Sequence, residues 1–221
     1  MSYTTWKAGN SESGSLRLCY RPRMLGRMFK NRRLILRHGI VDLGLERTEL
    51  PNGLNIDLAV IRHPGASAVV AFDEHNRVAM IRQFRFAIGG YLWEIPAGCR
   101  DAGENPRRCA ERELLEEAGL RAATWHPLGS IVTIPSFCDE RIHLYLARDL
   151  TDGYAAQDAD EVIRVQRIPL EKALRMIDAG KIVDAKTIVA LYRANAVIGH
   201  EQNSRTLLKR PRSAARASNI D

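Results

Sequence analysis

Apolar positions fall into two periods along this chain. From residue 34 to residue 83 they form short runs and alternations bounded by turn residues, the pattern of strands. Leu34-Ile35-Leu36, Gly39–Leu45 and Leu54–Ile61 predict strands, and Pro51-Asn52-Gly53 marks a turn between the last two. Ala66–Phe72, with Val69 and Val70 inside it and Pro64-Gly65 before it, predicts a buried strand. Arg77–Gln83 predicts the next strand, with Asp73–Asn76 as the hairpin between them. Tyr91–Ile95 is a short strand leading into Pro96-Ala97-Gly98, and Trp125–Ile134, Arg141–Ala147 and Val162–Ile168 extend the set. The helical period appears at Asn105–Gly119, at Leu170–Ala179 before Gly180, and at Asp184–Val197. This order predicts an α/β fold, a mixed sheet with a helix on each face.

The ends break from this pattern. Residues 1–33 are polar and basic with weak periodicity, apart from a helical turn predicted at Met24–Phe29. Residues 201–221 are polar and basic and are predicted to be disordered. Between them, 34–62 reads as a small antiparallel sheet and 63–200 as the main domain. The net charge of +7 belongs to those ends: residues 1–38 carry +8 and residues 201–221 carry +3, leaving −4 for residues 39–200. A folded part of that sign is not expected to bind nucleic acid. A hydrophobic content of 45% and a charged content of 27% place the chain among globular proteins. No apolar run approaches the ~20 residues that span a bilayer, so no membrane partner is expected. Met1–Gly14 lacks an apolar signal-peptide stretch, and Cys19, Cys99, Cys109 and Cys138 lack metal-ligand spacing. Reduced thiols and a cytoplasmic location follow as expectations.

The segment Gly98–Leu120 carries the chemistry. Asn105 can cap free backbone N–H groups, Pro106 suits the first helical position, and Gly119 is a natural stop. Within that helix Glu113, Glu116 and Glu117 share one face at i, i+3 and i+4, expected to look outward, while Leu114, Leu115 and Ala118 lie opposite. Like charges at this spacing cost about 0.2–0.5 kcal/mol per pair. The helix dipole disfavours anions in the last turn, where Glu116 and Glu117 sit. A solvated acidic face explains neither choice. A divalent cation bound through oxygen removes the repulsion, and Mg²⁺ commonly takes carboxylates together with substrate phosphates.

The spacing of Gly98, Glu104, Arg112-Glu113-Leu114, Glu116-Glu117 and Gly119-Leu120 fills every defining position of the Nudix box, and the chain resembles the Nudix hydrolase family. Leu92-Trp93-Glu94-Ile95-Pro96-Ala97-Gly98, the preceding Arg82-Gln83-Phe84-Arg85-Phe86, and Pro135 with Ser136–Glu140 resemble its ADP-ribose pyrophosphatase branch. Asp184-Ala185-Lys186-Thr187 resembles the start of that branch's last helix. The resemblance implies an alpha/beta/alpha sandwich preceded by the N-terminal antiparallel sheet, which would make a homodimer. It implies hydrolysis of the diphosphate of ADP-ribose to AMP and ribose 5-phosphate with Mg²⁺, for which Mn²⁺ can substitute.

Residue by residue, the resemblance implies the Ala97 carbonyl, Glu113, Glu116, Glu117 and Glu161 as metal ligands. Arg112 would orient a glutamate of the box, and Glu104 would order the loop. Arg85 would grip a substrate phosphate, with Arg82 and Glu94 on the substrate side. The proton acceptor stays open among Glu161, Asp160 and Glu140, with Glu117 also in the catalytic set. No Phe, Tyr or Trp stands between Phe29 and Phe72, so adenine would be held by another group, such as an arginine or His38. The rivals are another nucleoside diphosphate derivative (a nucleotide sugar, NADH or a dinucleoside polyphosphate) and a Nudix module that senses its ligand without cleaving it.

Overall fold

The computed structural model describes residues 32–154 and 163–208. The first unit is a three-stranded antiparallel sheet of β1 (Arg32–His38), β2 (Val41–Glu49) and β3 (Asn55–Arg62). Only one face of β2 is covered, so Leu34, Ile35, Leu36, Leu54 and Leu58 stay largely exposed on this sheet.

The main domain is built on β4 (Ala66–Ala71), in which every residue is buried. It runs parallel to β9 (Arg141–Asp152) and antiparallel to the short β7 (Ala97–Cys99), and β9 pairs with β8 (Leu120–Val132). The result is the mixed sheet β7-β4-β9-β8. A second, antiparallel sheet has the order β10-β5-β6, from β10 (Ile163–Pro169), β5 (Arg77–Arg85) and β6 (Gly90–Glu94), with a 3-10 turn at Phe86–Ile88. The helices are α1 (Pro106–Ala118), α2 (Leu170–Asp178) and α3 (Ala185–Leu208).

The period of two along β4 makes the sandwich. Ala66, Ala68 and Val70 turn to one side and join Ala190, Leu191 and Ala194 of α3 in the larger core. Val69 and Ala71 turn to the other and meet Ala110 and Leu114 of α1. The expected α/β fold with a preceding N-terminal sheet is therefore present.

Boundaries differ at several places. β7 has no counterpart in the sequence pattern, being three residues long and set by its register with Ala66 and Ala68. β8 begins at Leu120, directly after the helix, and β9 continues to Asp152 rather than Ala147, because the two strands pair along that whole length. α3 continues past His200 to Leu208, where disorder was predicted, and Glu201 ties it to Arg148 by an ion pair of 2.8 Å. The turn predicted at Met24–Phe29 and the loop holding Asp160 and Glu161 lie outside the described residues.

Candidate active site

α1 starts and stops as its sequence dictates. The Asn105 side chain accepts from the Arg107 N–H at 2.9 Å, Pro106 takes the first helical position, and Gly119 caps the end in the left-handed region at φ 65°. The helix then does something its period does not reveal: Glu113 and Glu117 are buried, at 7% and 1% exposure. The acidic face was expected to look outward. It turns instead against β7, where the Ala97 N–H donates to Glu117 Oε2 at 2.7 Å. Gly98 makes the approach possible, because a Cβ there would overlap the Glu113 carboxylate.

Arg112 offsets part of this charge. Its guanidinium donates to both oxygens of Glu104 at 3.1 Å, to Glu113 at 2.7 Å, to Glu116 at 2.9 Å and to the Cys99 carbonyl at 2.9 Å. Glu104 in turn accepts from the Asp101 N–H at 3.0 Å, closing the loop before α1. The Arg112 contact holds the Glu104 carboxyl below its ordinary range. Among the described residues no three His, Cys, Asp or Glu side chains close up as a metal cage. The donor set is nonetheless of the kind a hard cation takes, oxygen only, with carboxylates beside a backbone carbonyl and coordination left for substrate oxygens.

A second cluster lies at the ends of β5 and β6. Arg85 and Glu94 form a bidentate pair, Nε to Oε1 and Nη2 to Oε2, both at 2.8 Å. Glu94 is 1% exposed and is also held by Lys186, which pairs with Asp184 at 3.1 Å. Burial works against the Glu94 carboxylate, but Arg85 and Lys186 outweigh it and hold its pKa below the usual value. Asp184 caps α3 by accepting from the Thr187 N–H at 3.0 Å, and Thr187 Oγ1 accepts from the Ile95 N–H at 3.0 Å. The negative charge of Glu117 is felt at Arg85, so this cluster borders the acidic helix.

Arg82 stands apart. One strand position out of phase with Arg85, it occupies the opposite face of the sheet, over the rings of Tyr91 and Trp93 at 5.8 and 5.5 Å from their centroids. Glu140 lies at the entrance to β9, where Oε2 accepts from Thr133 Oγ1 at 2.5 Å and Oε1 is 3.5 Å from His63 Nε2. Its charge is felt by the Cys99 thiol, which burial first and then Glu140 and Glu113 push up. Burial also pushes the Cys109 thiol up to about 12. Glu161 falls outside the described residues.

Sequence reasoning missed the site's supports: His63, Thr133, Asp139, Lys186 and Thr187. The only signal for the last two was the run Asp184–Thr187 at a helix start. Of the others, Asp139 precedes Glu140 in the chain, and His63 and Thr133 are brought to it from the ends of β3 and β8.

The NUDIX domain model matches residues 61–191. The chain is 37% identical over 173 residues to the methanol dehydrogenase activator of Bacillus methanolicus, covering 76% of this chain and 94% of that one. It is also 37% identical over 154 residues to the ADP-ribose pyrophosphatase of Bacillus subtilis, covering 69% and 83%. A crystal structure of an ADP compounds hydrolase superposes with a TM-score of 0.68 at 21% identity, over 78% of this chain and 94% of that one, a likeness of fold. Among the described residues no helix is long and apolar enough to cross a membrane. With a buried acidic helix seated on Ala97-Gly98 and a domain match over most of its folded length, this chain belongs to the Nudix hydrolase family.

Proposed function

We propose that the protein hydrolyses the diphosphate of ADP-ribose, giving AMP and ribose 5-phosphate. The observation that carries the reading is the juxtaposition of buried Glu113 and Glu117 on Ala97-Gly98 with the Arg85–Glu94 pair. The likeness to an ADP-ribose pyrophosphatase supports the choice among diphosphates. Glu113, Glu116, Glu117 and the Ala97 carbonyl would hold Mg²⁺, with Mn²⁺ able to replace it. Such an ion neutralises phosphate charge and lowers the pKa of a bound water. Arg112 orients the Glu113 and Glu116 carboxylates toward that task. Glu94, clamped by Lys186, sets the plane of the Arg85 guanidinium, whose fork suits a phosphate. A carboxylate, Glu161 or Glu140, takes the proton from water.

The test is kcat/KM with Mg²⁺ on ADP-ribose, GDP-mannose, NADH and a dinucleoside polyphosphate, with products identified. Preference for ADP-ribose with release of AMP supports the reading. Preference for another member reassigns the substrate, and a metal-loaded protein inert on all of them points to a sensor. Comparing E161Q with E140Q separates the two proton acceptors. The exposed leucines and isoleucine of β1 and β3 also support a homodimer through the N-terminal sheet. A monomer in light scattering would refute that part.

A further inference from the structure

The proposed chemistry gives no role to His63, yet its side chain is only 7% exposed and both ring nitrogens have neighbours. The Gly65 N–H donates to Nδ1 at 3.0 Å. A neutral imidazole accepting at Nδ1 carries its proton on Nε2. That nitrogen faces Glu140 Oε1 at 3.5 Å and Cys99 Sγ at 3.6 Å. The other carboxylate oxygen of Glu140 takes the Thr133 hydroxyl. The Glu140 carboxylate is thus bracketed, with the Thr133 hydroxyl bonded to one oxygen and the His63 ring nitrogen within ion-pair distance of the other.

The backbone is fixed at the same point. Asp139 accepts from the His63 N–H at 2.8 Å and from Arg62 Nη1 at 2.9 Å. The Ile61 N–H donates to the Phe137 carbonyl at 2.8 Å, and Ile61 bridges Cys138 in parallel. Arg62 is itself anchored on Glu46 of the N-terminal sheet. The turn from β3 into β4 and the loop into β9 therefore meet along residues 61–63 and 137–140. Bonds this dense along residues 61–63 and 137–139 fix the backbone that carries the half-buried Glu140, which is what a reacting or gripping group requires.

We infer that His63 is a positioning residue for Glu140, acting through Nε2–H on Oε1 with Thr133 on Oε2. The inference rests on the reading that Glu140 works in the active site. It holds whether that carboxylate takes a proton or grips a substrate hydroxyl, because the coupling is to the carboxylate itself.

The test uses side chains that imitate one ring nitrogen each. A glutamine amide nitrogen can reach the place of Nε2, whereas an asparagine amide reaches only that of Nδ1. H63Q is expected to keep kcat/KM on ADP-ribose, or on whichever diphosphate is turned over best, within about threefold, while H63N and H63A lose about tenfold. In an E140Q background H63A is expected to cost little more, the signature of two residues acting as one unit. Melting temperatures of all variants identify any loss that comes from unfolding. H63Q as impaired as H63A with the fold intact, or equal losses from H63A in the wild-type and E140Q backgrounds, would overturn the inference. Wild-type turnover in E140Q would instead overturn the placing of Glu140 in the site and remove the function of His63 with it.

Discussion

Two charge clusters in this molecule are built on opposite terms. At the N-terminal sheet Arg32, Arg37 and Arg62 meet Asp42 and Glu46 of that sheet and Asp139 of the loop before β9, so each of these three carboxylates has an arginine. On α1 a single Arg112 reaches Glu104, Glu113 and Glu116, with Glu117 buried one turn on. The first cluster is matched and joins strands. In the second, one arginine serves three carboxylates, and the helix is packed against β7. A fold tolerates buried negative charge of this kind when a cation or a cationic ligand is to complete it.

The comparison can be broken from either side, and the largest effect belongs to the cluster on α1. E117Q is expected to lower kcat by at least about a hundredfold, as a carboxylate that holds the metal should, while the folded state tolerates the loss of one buried charge. Near wild-type turnover would remove Glu117 from the metal site. R112K comes next. A lysine cannot reproduce the forked contacts to Glu104, Glu113 and Glu116, so Mg²⁺ affinity is expected to fall about tenfold or more, measured by titrating activity against the ion.

The matched cluster should respond in stability instead. E46A leaves Arg32 and Arg62 without their shared carboxylate. The expected loss is about 2 kcal/mol in denaturant unfolding, below the range for fully buried pairs because both arginines keep some solvent. Turnover is expected to stay within about threefold. A large loss of kcat with little loss of stability would erase the distinction between the clusters.

Acid gives the gentlest probe. Glu94 is depressed because Arg85 and Lys186 outweigh burial, and at Asp73 burial is outweighed by hydrogen bonds from Arg77 and His75. Both pKa values are lower in the folded state than the ordinary 4.5 and 3.8. Their contribution to stability is therefore complete above those ordinary values and is lost as pH falls through the lower, folded ones. Unfolding free energy followed from pH 7 downward should stay level until about pH 5 and then decline. In E94Q that decline should be shallower.

How much was legible in the sequence follows the range of the forces involved. The limits of α1 were legible because Asn105, Pro106 and Gly119 act on their own backbone. The buried strand Ala66–Phe72 was legible because its apolar run needs no partner to be recognised. The burial of Glu113 and Glu117 was not, because it depends on β7, where Gly98 leaves room for Glu113 and the Ala97 N–H meets Glu117. β7 was too short to show a period. The last turns of α3 depend on an ion pair between Arg148 and Glu201, 53 residues apart. Spacing alone put Glu113, Glu116 and Glu117 on one helix face, while Ala97 and Glu161 were named only through the family resemblance. His63 and Thr133 were not named, since they come to Glu140 from other parts of the chain, and the run Ser136–Glu140 gave no role to Asp139.

Gly98 ties two positions of the chain into one heritable unit. Any side chain there must displace the Glu113 carboxylate from its place. A descendant that accepts alanine there has lost the geometry before it loses the glutamate. In a collection of related chains this glycine would flag retired enzymes earlier than the acidic residues do.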